Sequence, residues 1–197
     1  MRFPGATYRN IYVSSQSAAE RTLKSIEQWI GKNLRLKVNA ARSGVGRCSE
    51  RKFLGFRLTA AKRIGIAPES IERFKGKVRE MWDARQSRTS QELRDAWKRY
   101  VEGWWGYFQP ADERTRIFGL ESGIRRHIRK CFWLRWHNTA GRRNALSRLG
   151  VREPLLKLAA SKRGAWRMAA NHAVNAALTN ATLRRYGFVM PSDLAAR

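Results

Sequence analysis

Arg125, Arg126, Arg129 and Lys130, with Arg135 beyond them, interleave with Phe132, Trp133 and Trp136 in a segment of helical period. Arg125 and Arg129 stand one turn apart, as do Arg126 and Lys130, so a helix carries them as two basic rows beside its apolar stripe. Such rows track a phosphate backbone, and aromatics next to them stack on bases for about 1–3 kcal/mol each. The competing reading is a solvated basic face over core tryptophans. The pattern sends the arginines to phosphate and the tryptophans to the core. A second cluster runs Ser161-Lys162-Arg163-Gly164-Ala165-Trp166-Arg167. Gly164 would let backbone approach a ligand closely; a turn decorated with charge is the equal alternative. Arg142, Arg143 and Arg148 add a third group of cations.

The whole chain leans the same way. Its 197 residues hold 41 Lys plus Arg against 15 Asp plus Glu, a formal net charge of +26. A folded body with that excess repels itself unless a polyanion lies against it, and nucleic acid is the natural one because each neutralised phosphate releases a counterion. Arg outnumbers Lys, which suits bidentate phosphate contact and stacking. GC-rich coding would inflate Arg too, but the charge excess stands under either cause. No apolar run reaches the roughly 20 residues that span a bilayer, and MRFPGATYRN lacks the apolar core of a signal peptide. The expected location is cytoplasmic, with no membrane partner.

Signals for catalysis are missing. Asp83, Asp95, Asp112 and Asp193 are dispersed, whereas two-metal phosphoryl chemistry needs convergent carboxylates. Glu69 and Glu72 share a helix face but suit the positive end of a helix start. Cys48 and Cys131 show no ligand spacing with His127, His137 or His172, and read as structural thiols and surface histidines. No GxSxG, HExxH or phosphate-loop signature occurs. The expectation is a binding protein that is no enzyme on its own and holds neither cofactor nor metal.

The elements that position these residues are mainly helical. Ala19, Leu23, Ile26 and Ile30 predict a helix over 15–33. Leu34, Leu36 and Val38 alternate with Arg35 and Lys37 as in a strand, and Lys52–Leu58 is a second strand candidate with Leu54, Phe56 and Leu58 on one face. Pro68 opens a helix with Ile71, Phe74, Val78 and Met81 inward. Thr89 and Glu92 form a capping box for the next, which carries Leu93, Trp97, Tyr100, Val101, Trp104 and Phe108. A third spans 116–136 with Leu120, Ile124, Ile128 and Cys131 inward. Beyond it Gly141, Gly150, Gly164 and Gly187 break the chain, with short helices over 153–161 and 171–185. The predicted fold is mainly α: a small α+β segment, a three-helix bundle and a short helical carboxyl-terminal region.

Several strings, in order, resemble the bacterial group II intron reverse transcriptase/maturase family over roughly residues 10–190. Arg51-Lys52-Phe53-Leu54-Gly55-Phe56 resembles that family's RKFLGF element, and Leu36-Lys37-Val38-Asn39 with Arg42-Ser43 is similar to the stretch upstream of it. Ile66-Ala67-Pro68, Tyr100-Val101-Glu102-Gly103-Trp104 and Tyr107-Phe108 look like the maturase-specific domain, as do Ile124-Arg125-Arg126, Trp133 and Trp136. Leu149-Gly150-Val151 and Gly164-Ala165-Trp166-Arg167-Met168-Ala169 continue the succession to Leu178 and Asn180-Ala181.

The resemblance implies a remnant of a polymerase palm over 1–60, a thumb-like maturase-specific (X) domain over 61–137, and a basic DNA- or RNA-contacting region over 138–197. Arg51 to Phe56 would be primer-grip-like. Asn10-Ile11-Tyr12-Val13 matches the string after the family's metal-binding YADD loop, but Arg2 to Arg9 before it hold no acid, so the sequence looks truncated before that loop. Mg2+ therefore belongs to the full-length family only. The implied function is a maturase-type fragment that binds group II intron RNA and assists its folding and splicing. The first alternative is part of a split RNA-directed DNA polymerase, acting on primer–template or a DNA target with a separate fingers–palm chain. The second is a gene remnant that binds nucleic acid without selectivity. The expected phosphate contacts are Arg125, Arg126, Arg129, Lys130, Arg135, Arg142, Arg143, Lys162, Arg163 and Arg167.

Overall fold

The computed structural model describes residues 10–41, 43–59, 61 and 63–195, so Arg2 to Arg9 and Arg42 lie outside the described residues. Two compact units divide at Ala67–Pro68. That boundary falls seven residues after the division drawn at 60.

In the first unit, Ser15 caps helix α1 (Gln16–Trp29) by accepting from the Ala18 amide at 3.2 Å. Its predicted stripe of Ala19, Leu23, Ile26 and Ile30 is half-buried, and none of its residues is fully buried. The strand predicted around Leu34–Val38 is not there. The helix instead widens into a π turn over Ile30–Leu34, which ends where Arg35 turns left-handed at φ 51°. Leu34 and Leu36 are left exposed.

Lys52–Leu58 is not one strand either. It is a hairpin of β1 (Lys52–Phe53) and β2 (Phe56–Leu58), continued antiparallel by β3 (Ile64–Ile66). Phe53 pairs with Phe56 across Leu54 and Gly55, at φ 50° and 81°. Positive φ at both central residues is what a two-residue type I′ turn demands. Alternation of Leu54, Phe56 and Leu58 mimics a single strand because the turn spends just two residues.

The second unit consists of helices joined by turns and short loops, with no strand among its described residues. Helix α2 (Pro68–Met81) buries its predicted stripe, and α3 (Ser90–Phe108) buries Leu93, Trp97, Val101 and Phe108 as predicted, but it buries Trp105, which the prediction omitted, and leaves Tyr100 and Trp104 half-buried. The capping box at Thr89 is present: its hydroxyl accepts from the Glu92 amide at 3.2 Å and its amide donates to Glu92 Oε2 at 2.7 Å. The single helix expected over 116–136 is two, α4 (Arg114–Gly119) and α5 (Glu121–Arg135), joined at Leu120. Gly119 lowers helix stability there by about 1 kcal/mol relative to Ala.

The segment after α5 holds more helix than its glycines suggest. α6 (Thr139–Arg148) starts at Asn138, whose side chain accepts from the Gly141 amide at 2.8 Å. A Cβ at Gly141 would lie 2.4 Å from the Trp136 carbonyl, so this glycine permits the helix start rather than breaking it. A 3-10 turn (Leu155–Ala160) occupies most of the helix predicted over 153–161. α7 (Ala165–Met168) follows, and the helix predicted over 171–185 is α8 (His172–Ala177) and α9 (Asn180–Arg185), with Thr179 capping the second. α10 (Pro191–Ala195) closes the unit.

One buried cluster runs from Phe74 to Met190, so the division drawn at 137 does not separate packing units. Trp82, Trp97 and Trp133 are at most 1% exposed at its centre. Phe74 lies 4.3 Å from Trp104, and Trp82 lies 5.6 Å from Phe188, centroid to centroid. The Trp97 indole N–H donates to the Val189 carbonyl at 2.7 Å, which satisfies a polar atom that burial would otherwise penalise.

Candidate nucleic-acid interface

α5 buries Ile124, Ile128, Cys131 and Trp133, which turns its arginines to the flanks of that stripe. The flanks are not bare. Arg125 Nη1 donates to Glu121 Oε2 at 3.0 Å, and Glu121, itself buried, also accepts from the Ser192 amide at 2.7 Å. Arg126 donates through Nε and Nη2 to the Trp166 carbonyl at 3.2 and 3.1 Å. Arg129 Nε donates to the Leu178 carbonyl at 2.9 Å, and burial lowers its pKa. Arg135 Nη2 donates to the Arg88 carbonyl. Arg142 stacks over Trp133 at 4.5 Å, and Arg143 pairs with Glu153 at 2.7 Å.

These partners differ in what they leave for a ligand. A carboxylate cancels charge, as at Arg125 and Arg143. A carbonyl does not, so Arg126, Arg129 and Arg135 keep their full positive field while their geometry is fixed. Lys130 is half-buried on α5 with no hydrogen-bond or ion-pair partner among the described residues.

The Ser161–Arg167 turn is different. Lys162, Arg163 and Arg167 are exposed, and none of their side chains has an ion-pair or hydrogen-bond partner among the described residues. Gly164 caps α7 at φ −57°, ordinary backbone for any residue, and a Cβ there would meet nothing within 4 Å. Its value is open surface rather than conformational freedom. Between Ser122 and Ser192 the sequence holds one acid, Glu153, already engaged by Arg143. The chain from Ser122 to Ser192 is therefore overwhelmingly of one sign, the condition for focusing a polyanion.

His127 departs from its reading as a surface histidine. It is half-buried on α5, its ring 4.8 Å from that of Trp166. Desolvation, then the charges of Lys130, Arg79 and Arg126, push its pKa down to about 4, so it is neutral at pH 7. Its place between Ile124 and Ile128, on the edge of the stripe, was the available signal. Trp133 is buried as predicted, and Trp136 is half-buried at 6.3 Å from it.

The carboxylates have local tasks. Asp95 pairs with Arg94 at 2.8 Å, Asp193 with Arg184 at 2.7 Å, and Asp83 accepts from the Arg85 amide at 3.0 Å. Among the described residues no three His, Cys, Asp or Glu side chains come together as a metal site would require. No helix among them is long and apolar enough to cross a membrane. In the first unit, Arg51 Nη2 donates to the Val45 carbonyl at 3.1 Å, and Phe53 and Leu54 stand exposed at the hairpin tip.

A helical body of this order, with a basic α5 and an aromatic core, has a counterpart. Residues 71–150 match the group II intron, maturase-specific domain. The matched span starts in the first turn of α2 and runs through α3, α4, α5 and α6. The match therefore takes in Arg125 to Arg148 and stops short of the Ser161–Arg167 turn. The packing does not stop there, because α5 and α6 share their core with the segments that follow. No curated protein matches the chain.

Proposed function

We propose that this protein binds structured group II intron RNA and assists its folding and splicing, adding no bond-making step of its own. The observation that carries the reading is the maturase-specific match over 71–150, falling on a helical unit whose exposed cations outnumber its acids. Lys130, Lys162, Arg163 and Arg167 are the direct phosphate contacts, with Arg126, Arg129, Arg135 and Arg142 supplying field from fixed positions and Arg143 secondary because of Glu153. Structured RNA suits such a surface, since A-form helices are recognised largely through backbone and shape. The test is the affinity for a group II intron transcript against a scrambled RNA of equal length at about 0.15 M salt. Preference for the intron, with affinity falling steeply as salt rises, is expected; equal affinity would defeat the maturase reading.

One observation favours a second reading. Ile11, Tyr12, Val13, Trp29, Phe53 and Leu54, all in the first unit, are exposed, as the edge of a polymerase palm awaiting a separate fingers–palm chain would be. Arg51 to Phe56 would then grip a primer. Primer extension on mixing the two chains supports it, and no extension removes it.

A further inference from the structure

Resting on the nucleic-acid reading above, we propose that Trp166 is a stacking platform for an unpaired base, with Lys162, Arg163 and Arg167 holding the phosphates on either side. Trp166 is 41% exposed, while Trp82, Trp97 and Trp133 are sealed in the core. A large ring left in water is costly, and this one is also braced by its neighbours. The Arg126 guanidinium lies 4.1 Å from its centroid and donates twice to its carbonyl, so one side chain fixes both ring and backbone. The His127 ring braces it at an interplanar angle of 55°. A ring fixed beforehand loses little freedom when a base lands on it.

The chain on either side of Trp166 suits a nucleotide strand. No acid occurs from Pro154 to Ser192, and Asp193, the next in sequence, is engaged by Arg184. Gly164, two residues before it, is itself exposed, and a Cβ there would meet nothing within 4 Å. A duplex cannot use the ring, because its bases are already stacked and the A-form major groove is too narrow for side chains, whereas unpaired bases splay out onto aromatic faces.

The experiment uses the full chain, a 12-nucleotide mixed adenine–uracil RNA, and the same RNA annealed to its complement, at about 0.15 M salt. Trp166→Ala should lose roughly tenfold in affinity for the single strand and less than twofold for the duplex, while Trp166→Phe keeps most of both. Equal losses on the two RNAs, or no loss, overturn the proposal. Should the Ala variant fail to fold by circular dichroism, the unsubstituted chain decides: a 5-iodouridine single strand irradiated in complex should crosslink at Trp166, and crosslinks confined elsewhere overturn it. If the unsubstituted chain retains neither RNA, the nucleic-acid reading itself fails, an outcome distinct from the others.

Discussion

α5 and the Ser161–Arg167 turn carry the same kind of side chain in opposite employment. On α5, Arg125, Arg126, Arg129 and Arg135 each reach an acceptor within the protein. On the turn, Lys162, Arg163 and Arg167 reach none among the described residues. Guanidinium and ammonium groups that hold the fold together shape the field around it, and those left in water are the ones a phosphate can take without first breaking something. A row of arginines in a sequence is thus a statement about charge, and only the acceptors around it say where the hydrogen bonds go.

The largest effect expected from this contrast is on binding. Lys162→Ala, Arg163→Ala and Arg167→Ala together should weaken RNA binding by about two orders of magnitude at low salt. They should also reduce the slope of log affinity against log salt by about 2–3, since each phosphate contact contributes a little under one. The melting temperature should not move. An unchanged slope measured by filter binding would place the contacts elsewhere and break the comparison. Next comes Arg129→Ala, which leaves the Leu178 carbonyl without its charged donor and should cost about 1–3 kcal/mol of stability in denaturant titration. The RNA affinity of the folded fraction should change far less. A large loss of affinity with stability intact would move Arg129 to the binding side.

The smallest effect is a pH dependence. His127 has its folded pKa lowered to about 4 against an ordinary 6.5, so between those values the unfolded chain binds more protons than the folded one. Stability should be complete near pH 7 and fall as pH drops through 6.5 toward 4. The loss by pH 5 should be about 1 kcal/mol, allowing for solvent around a half-buried ring. His127→Gln should flatten that part of the melting curve series; an identical pH dependence would assign it to other groups.

Where the sequence was legible, long periodic stretches made it so. α2 and α3, with the reciprocal bonds at Thr89 and Glu92, follow from spacing alone. The hairpin at Lys52–Leu58 was hidden because its strands are two and three residues long, too short to show a period. Leu54 at positive φ is also no residue from which a type I′ turn is read. The buried face of α5 was visible, but the use of Arg126 and Arg129 was not, because their acceptors lie 40 and 49 positions downstream. Trp133 stands between Phe132 and Leu134 on a long periodic helix, so its burial was legible, whereas Trp166 stands between Ala165 and Arg167 in a four-residue helix too short to show a period.

The bond from the Trp97 indole to the Val189 carbonyl bridges 92 positions, and that distance has a cost during synthesis. At about 5–20 residues per second, the aromatic face of α3 waits roughly 5 to 20 seconds for the strand of chain that seals it. Through that interval a newly made polypeptide bares Trp97 and its neighbours beside a growing excess of positive charge, close to ribosomal RNA. The yield of intact protein should therefore respond to chaperone supply and translation speed.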